Sequence, residues 1–248
     1  MEKWERDGAG LETLRRWVGE SRRLVFFGGA GVSTESGIPD FRSTDGLYHQ
    51  QYRFPPETIL SHRFFLRNPE EFFRFYREKM LCPSARPNRA HRVLAQWERE
   101  GKLSAVITQN IDGLHQAAGS REVLELHGSV HRNHCMECGR FFGLGAILES
   151  EGVPRCPCGG IIKPDVVLYE EPLDENVTRR AVQAIGEADL LMVGGTSLAV
   201  YPAAGMLRYY QGNRLVLINK SPTPMDEEAD LLLPGALGDI LAAAAAHT

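Results

Sequence analysis

The sequence predicts an α/β fold, a parallel sheet with helices on both faces, together with a second and smaller domain. Short apolar runs recur along the chain without the alternation of a half-buried strand, which is typical of strands buried on both faces. Segments with helical spacing of apolar residues separate most of these runs, as the connections of a parallel sheet require. Two long stretches break this rhythm, and we expect them to form the smaller domain.

The first helix is indicated by Leu11, Leu14, Trp17 and Val18, which recur at helical spacing. Further helices are predicted at residues 90–100, 175–187, 203–210 and 237–246. The predicted strands are residues 24–27, 105–107, 123–126, 166–168, 190–193, 215–218 and 231–233.

The two stretches that break the rhythm differ in composition. Residues 34–82 are rich in aromatic side chains, and residues 131–164 carry cysteine, glycine and proline. We therefore assign residues 1–34, 84–131 and 165–248 to the larger domain, and residues 35–83 and 132–164 to the smaller one.

The bulk composition excludes several classes of protein. The chain has 248 residues, of which 43% are hydrophobic and 24% charged, and its net charge is −4, so it is not a general nucleic-acid binder. No apolar stretch approaches the roughly 20 residues of a membrane span. The charged N-terminus lacks the apolar core of a signal peptide. We expect a cytoplasmic monomer that binds neither membranes nor nucleic acid directly.

Four of the five cysteines form two close pairs, Cys135/Cys138 and Cys156/Cys158. In a reducing compartment such pairs predict a zinc site rather than disulfides. The second pair is one residue shorter than usual, and His134 is a possible substitute ligand. Because four protein ligands leave no open position for water, the zinc would be structural. The fifth cysteine, Cys82, is interpreted as a small apolar side chain.

The segment FFGGAGVSTESGIPDFR, residues 26–42, continues a buried strand into a glycine-rich loop. Glycines at positions 29 and 31 let the backbone approach a diphosphate, towards which amide N–H groups can point. A tight turn without a ligand is the alternative. A standard dinucleotide fingerprint has an acidic residue about 20 residues further on, but an aromatic-rich stretch occupies that interval. The standard dehydrogenase interpretation is therefore weakened.

Glycines or polar residues follow five of the predicted strands, and the carboxyl ends of parallel strands share one edge of the sheet. These residues are Gly29, Gln109, His127, Gly195 and Asn219. A histidine titrates near neutrality and suits general-base catalysis. An amide and a carboxylate, as in Asn110 and Asp112, suit an amide-bearing ligand. The alternatives are turn chemistry for these two residues and an ordinary buried histidine at 127.

Six features of the chain resemble the sirtuins, the NAD-dependent protein lysine deacylases, in order and spacing. They are GAGVSTESGIPDFR, TQNIDGLH, LHGS, the two cysteine pairs, GTSLAVYPAA and INKSPTP, and the resemblance extends from about residue 11 to residue 241. It implies a Rossmann-type domain plus a small zinc-binding domain, with NAD and acyl-lysine proteins or peptides meeting in the cleft between them.

The resemblance also implies roles for individual residues. His127 would be the general base, and Asn110 would order the nicotinamide ribose and a water. The NAD-binding set would comprise Gly29, Ala30, Gly31, Ser33, Thr34, Asp40, Phe41, Arg42, Gln109, Asn110, Ile111, Asp112, His127, Gly195, Thr196, Ser197, Asn219, Lys220 and Leu237. A substrate peptide would pair with Val166, Val167, Leu168 and Tyr169. Tyr169 and Glu170 depart from the Phe-Gly that the family often has here, which leaves the peptide preference open.

The implied reaction gives nicotinamide, free lysine and O-acyl-ADP-ribose. Phe73 and Tyr76 align with the two positions at which succinyl- or malonyl-preferring members carry tyrosine and arginine. Since neither residue is cationic, we expect a preference for uncharged acyl groups such as acetyl. A slip of one residue would instead bring Arg74 or Arg77 into the acyl tunnel.

Three alternatives remain at this point. As an NAD-dependent dehydrogenase, the chain would lack the acidic residue expected about 20 residues after the glycine-rich loop, and its cysteines would be unexplained. A zinc-stabilised binding module would leave the polar strand ends without a role. Mono-ADP-ribosyl transfer to protein is possible as a side activity.

Overall fold

The computed structural model describes residues 8–40 and 53–246. Its main element is a six-stranded parallel sheet in the order β3-β2-β1-β7-β8-β9. The strands are β1 (Leu24–Gly28), β2 (Leu103–Thr108), β3 (Val123–Glu125), β7 (Leu190–Gly194), β8 (Leu215–Asn219) and β9 (Leu231–Pro234). In register, Phe27 of the central strand pairs with Ile107 on one side and Val193 on the other. All three side chains are buried, which explains why these runs show no alternation.

Helices cover both faces of the sheet, so the predicted α/β class is confirmed. On one face lie α1 (Gly8–Glu20), α5 (Arg89–Arg99) and α9 (Leu237–Ala245), whose buried Leu14, Trp97 and Ile240 join a core with Phe26. On the other face lie α8 (Glu175–Glu187) and a 3₁₀ helix (Ala204–Tyr209), which pack around Phe27. A shorter helix, α6 (Leu114–Ala118), follows β2.

A second, antiparallel sheet has the order β5-β4-β6. Its strands are β4 (Gly128–Cys135), β5 (Phe141–Phe142) and β6 (Ile162–Val166). With it lie α2 (Pro56–Ile59), α3 (His62–Arg67), α4 (Pro69–Phe75), a π-helical turn (Tyr76–Met80) and α7 (Gly145–Leu148). These elements share a third core that is rich in phenylalanine.

Two predictions about individual elements are wrong. Residues 166–168 do not form a strand of the parallel sheet, because β6 pairs antiparallel with β4 and ends at Val166. An apolar run of three residues carries no information about its partner strand. The predicted helix at residues 203–210 is a 3₁₀ helix. No helix among the described residues is long and apolar enough to cross a membrane.

Candidate functional site

Two glycine turns cross at the carboxyl ends of β1 and β7. The amide of Gly31 donates to the carbonyl oxygen of Gly195 over 2.8 Å. A Cβ atom on Gly31 would lie 2.9 Å from the Cα of Gly195, and one on Gly29 would lie 2.9 Å from the Cβ of Thr196. Gly195 also has a φ of 61°, a conformation that favours glycine. Glycine is therefore required on both sides of this crossing.

The crossing leaves a small set of backbone donors for a ligand. The amides of Val32 and Ser33 donate to carbonyl oxygens within the loop itself. Within residues 8–40 and 53–246, no acceptor pairs with the amides of Ala30, Thr196 and Ser197. These three N–H groups lie on two neighbouring turns, an arrangement that suits the oxygens of a diphosphate.

Three side chains from two strand ends form a hydrogen-bonded cluster beside the turns. The hydroxyl of Ser33 donates to Asp112 Oδ2 over 2.6 Å and accepts from Asn110 Nδ2 over 3.0 Å. The other oxygen of Asp112 accepts from the amide of Leu114, so the carboxylate is fixed at both ends. Ser33 is buried, whereas Asn110 and Asp112 are half-buried and accessible to a ligand.

His127 is oriented by a backbone carbonyl. Its Nδ1 lies 3.0 Å from the carbonyl oxygen of Gln109, and the Gln109 side chain donates to Thr196 Oγ1 over 3.1 Å. Because a carbonyl only accepts, Nδ1 carries the proton and Nε2 is the basic nitrogen. Burial lowers the pKa of His127 below its ordinary value, although the bond to Gln109 opposes that shift. The imidazole is therefore neutral and able to accept a proton at neutral pH.

The remaining residues predicted to bind NAD differ in their hydrogen bonds and in their exposure. Thr34 donates from its hydroxyl to the Gly31 carbonyl, and Asn219 donates from its side chain to the carbonyl of Ser221. Lys220 is exposed, whereas Leu237 is buried against Gly194. Ile111 and Asp40 are half-buried. Phe41 and Arg42 lie outside the described residues.

The four paired cysteines come together at the end of β4. Their sulfur atoms all lie within 4.8 Å of one another, with Cys135 to Cys158 at 3.4 Å and Cys138 to Cys156 at 3.7 Å. Tetrahedral zinc with bonds of about 2.3 Å requires sulfur separations of about 3.8 Å, so the arrangement fits the ion. Amides of Glu137 and Cys138 point at Cys135 Sγ and lower the pKa of that thiol. The shortened Cys156/Cys158 pair therefore reaches a compatible geometry.

The predicted substrate strand is tied to the chain itself through its amides. Val167 N–H donates to the carbonyl of His127, and Tyr169 N–H donates to the carbonyl of Leu60. Leu168 N–H donates to the carboxylate of Glu171. Among the described residues, none donates to the carbonyl of Val167. An incoming peptide would therefore find an acceptor at this edge, next to His127.

Sequence reasoning missed the ionic contacts that hold this edge. Glu171 accepts from His62 Nδ1 over 2.7 Å and from Lys163 Nζ over 3.2 Å. Burial raises the pKa of Glu171, but the donors outweigh burial and hold it below its ordinary value. Glu170 has a φ of 77°, where the family often has glycine, and its carboxylate accepts from the amide of Arg63. In the sequence, the glutamate at position 170 in place of glycine was the one signal that this edge is held differently.

Buried histidines behind the glycine loop were also missed. Asn88 caps α5, donating to the Val32 carbonyl over 2.7 Å and forming a capping box with His91. His91 packs against His115 with ring centroids 4.7 Å apart. Burial lowers the pKa of His91 to about 4 and that of His115 to about 3, so both rings are neutral. The pattern of Asn88 followed three residues later by His91 does not match the usual capping box with glutamate.

Phe73 and Tyr76 are fully buried in the phenylalanine-rich core. The guanidinium carbon of Arg77 lies 5.6 Å from the centroid of the Phe73 ring, so Arg77 borders that core. Arg74 pairs with Glu71 and is exposed, and Arg77 donates to the carbonyls of Ile147 and Gly152.

Comparisons with known proteins agree with this geometry. The model of the Sir2 family matches residues 29–202. An NAD-dependent protein deacetylase of Clostridium acetobutylicum is 58% identical over 235 residues, 93% of this chain and 96% of the relative. One from Cutibacterium acnes is 57% identical over 234 residues, 94% of this chain and 96% of the relative.

Solved structures give the same result. Sir2 with a deacetylated peptide and 3′-O-acetyl ADP-ribose superposes with a TM-score of 0.87 at 38% identity, covering 94% of this chain and 96% of that one. Sir2 with a peptide and NAD⁺ superposes with a TM-score of 0.83 at 40% identity, covering 94% and 95%. The similarity thus extends over nearly the whole chain in sequence and in fold, and the protein belongs to the Sir2 family.

Proposed function

We propose that this protein is an NAD-dependent protein lysine deacetylase, which yields nicotinamide, free lysine and O-acetyl-ADP-ribose. The observation that carries the proposal is the orientation of His127. Its Nδ1 proton is held by the Gln109 carbonyl, which leaves a basic Nε2 at the edge of the sheet where the two glycine turns cross. The names of the relatives and the ligands of the solved structures support the same reaction class.

In this reaction the protein positions NAD and the acyl-lysine and supplies one general base. When bound, NAD supplies a ribose carbon that accepts the acyl oxygen as nicotinamide leaves. The amides of Ala30, Thr196 and Ser197 bind the diphosphate, and Asn110, held by Ser33, orients the ribose. Asp112 and Ile111 line the nicotinamide side. His127 Nε2 takes the proton of a ribose hydroxyl, and such proton transfer contributes typically 10²–10⁴-fold to a rate.

Zinc has a structural role in this proposal. Cys135, Cys138, Cys156 and Cys158 are four protein ligands, so the ion retains no open position for substrate. It fixes the antiparallel sheet on whose other end the peptide edge lies.

The acyl group that fits this site is uncharged. Arg77, the cation nearest in sequence to Tyr76, is held by the carbonyls of Ile147 and Gly152. Its guanidinium carbon lies 5.6 Å from the centroid of the Phe73 ring. A distal carboxylate beside Phe73 and Tyr76 would lose its hydration and would have to displace these carbonyl partners to gain a cation, which is costly. We therefore propose acetyl-lysine over succinyl-lysine. Comparing kcat/KM for one peptide in both acylated forms tests this, and a succinyl preference would contradict it.

We also propose that the protein acts as a monomer in the cytoplasm. The support for the compartment is that four of its thiols are arranged for a metal and not for disulfides, as expected in a reducing compartment. Its light scattering in solution tests the monomer.

Mass spectrometry of the products tests the reaction. The protein is incubated with NAD and an acetyl-lysine peptide, and we expect peptide lighter by one acetyl group together with nicotinamide and O-acetyl-ADP-ribose. A peptide that instead gains ADP-ribose would indicate ADP-ribosyl transfer. NADH detected by absorbance would indicate a dehydrogenase.

A further inference from the structure

Part of β4 leaves the ladder that this strand forms with β6. Ser129 and Asn133 of β4 are opposite Asp165 and Pro164, which are adjacent residues of β6, so residues 130–132 form a bulge. A bulge re-aims the side chains that it carries, and bulges are frequent next to active sites. This one begins three residues beyond the proposed base.

Two residues of the bulge hold the loop that follows β2. The amide of Val130 donates to the carbonyl of Ile111 over 3.0 Å. His131 Nε2 lies 3.1 Å from the carbonyl oxygen of Asp112. Since Ile111 and Asp112 are the residues proposed to line the nicotinamide side, the bulge is built against the candidate site.

The third residue of the bulge, Arg132, joins two carboxylates that belong to different sheets. Its Nη1 donates to Glu125 Oε2 over 2.6 Å, and its Nε donates to Asp165 Oδ2 over 2.8 Å. Glu125 ends β3 of the parallel sheet, whereas Asp165 lies in β6 of the antiparallel sheet. The Glu125 side chain is only 7% exposed, and a carboxylate buried to that extent is strongly destabilising without a cation. The guanidinium supplies that cation.

These two carboxylates lie just ahead of the base and of the peptide edge. Glu125 is two residues before His127, and Asp165 is two residues before Val167. The amide of Val167 donates to the carbonyl of His127 over 3.0 Å, which joins the two segments directly. A planar guanidinium has donors in fixed directions, which an ammonium lacks. Arg132 therefore ties both segments to one rigid group.

We propose that Arg132 is a positioning residue for deacylation, which holds His127 at the place where it can take the ribose proton and keeps the peptide edge in register with it. This inference rests on the proposed deacylase function. The contact with Glu125 serves the base, and the contact with Asp165 serves the peptide edge. In the proposed reaction nicotinamide leaves before His127 takes a proton. A displaced base therefore slows deacylation and spares the release and re-addition of nicotinamide.

Two rates measured with one acetyl-lysine peptide test the contact with Glu125. One is deacylation, and the other is the incorporation of labelled nicotinamide into NAD, which reports the step before the base acts. Arg132→Met is combined with Glu125→Gln, so that no carboxylate is left buried without a cation and the variant folds. We expect kcat for deacylation to fall about tenfold or more, as a displacement below 1 Å implies, while incorporation does not fall. A variant that had only lost stability would lower both rates alike.

Asp165→Ala tests the second contact alone, at an exposed position. Loss of one partly exposed ion pair should raise KM for the peptide about two- to fivefold. The kcat for deacylation and its ratio to incorporation at saturating peptide should stay at their wild-type values. A lowered kcat with unchanged KM for the peptide would overturn the division between the two contacts.

Arg214→Met is the matched control. Arg214 is likewise partly exposed and pairs with a carboxylate, that of Glu20 at 2.7 Å. It directly precedes β8, so it lies at the opposite edge of the sheet from the candidate site. This variant should keep both wild-type rates. The proposal is overturned if deacylation and incorporation fall together in the double variant, or if neither falls. A wild type that releases no nicotinamide with acetyl-lysine peptide would overturn the proposed function, and this inference with it.

Discussion

Replacing Gly31 by alanine should impair the use of NAD while the protein still folds. The added Cβ would lie 2.9 Å from both the Cα and the carbonyl oxygen of Gly195. These are backbone atoms, so a change of side-chain rotamer cannot relieve the contact. Carbon atoms in contact rest about 3.5 Å apart, so the two glycine turns must separate by about 0.5 Å. The hydrogen bond between Gly31 and Gly195 would lengthen by a similar amount.

The expected magnitude follows from that displacement. Overpacking of this kind costs about 1–3 kcal/mol of folding stability. The separation also moves the amides of Ala30 and Thr196 relative to each other. Since a misplacement of about 1 Å can reduce catalysis 10²-fold, half of that distance should reduce kcat/KM for NAD by about tenfold or more.

Initial rates of nicotinamide release with varied NAD and saturating acetyl-lysine peptide measure this effect. Gly19→Ala is the matched control, because Gly19 is exposed near the end of α1 and no atom lies within 4 Å of its added Cβ. We expect that control to keep wild-type kinetics and to gain up to about 1 kcal/mol of stability. A folded Gly31→Ala variant with wild-type kcat/KM for NAD would refute the reasoning.

Three further predictions concern the base, the metal and the buried histidines. His127→Ala should lower kcat about 10²–10⁴-fold while calorimetry still detects NAD binding. A variant that retains more than about a tenth of the wild-type activity would exclude a role of His127 as the base. Metal analysis should find one zinc per chain, and a chelator should lower the melting temperature, since structural zinc supplies folding free energy; well under one zinc would contradict the site. His91 and His115 have lowered folded pKa values, so the unfolded state binds their protons first as the pH falls. Between pH 6.5 and pH 5 these two histidines should therefore lower the free energy of unfolding by about 3 kcal/mol, so that His115→Gln loses about 1.5 kcal/mol less than the wild type; an equal loss in that variant would contradict this assignment.

Features encoded by local pattern were predictable from the sequence. The strand of Leu24–Gly28 is apolar throughout because both of its faces are covered, and the glycines after it are needed where Gly31 meets Gly195. The four cysteines were predicted to converge, and they do. The family and the fold class are confirmed. The roles of the individual site residues stay predictions.

Features set by tertiary contacts were not predictable. Nothing local to residues 166–168 indicates that β6 pairs antiparallel with β4. The direction of Arg77 depends on carbonyl groups about 70 residues away. Glu170 is tolerated in a left-handed conformation in a turn, beside Arg63 of α3. In each case the decisive partner lies far away in sequence, where periodicity and propensity carry no signal.

The antiparallel sheet connects the zinc site physically to the candidate active site. At one end of the pairing Cys135 is opposite Ile162, and at the other end Gly128 is opposite Val166. Gly128 follows His127 directly, and a Cβ on it would lie 1.8 Å from the carbonyl oxygen of Asp165, so the strands meet as closely as backbone allows. Fixing one end with zinc would therefore fix, about 13 Å along β6, both the proposed base His127 and the proposed peptide-binding edge. The glycine turns belong to a different sheet and do not depend on that pairing. Partial loss of zinc should consequently raise KM for the peptide before it weakens NAD binding.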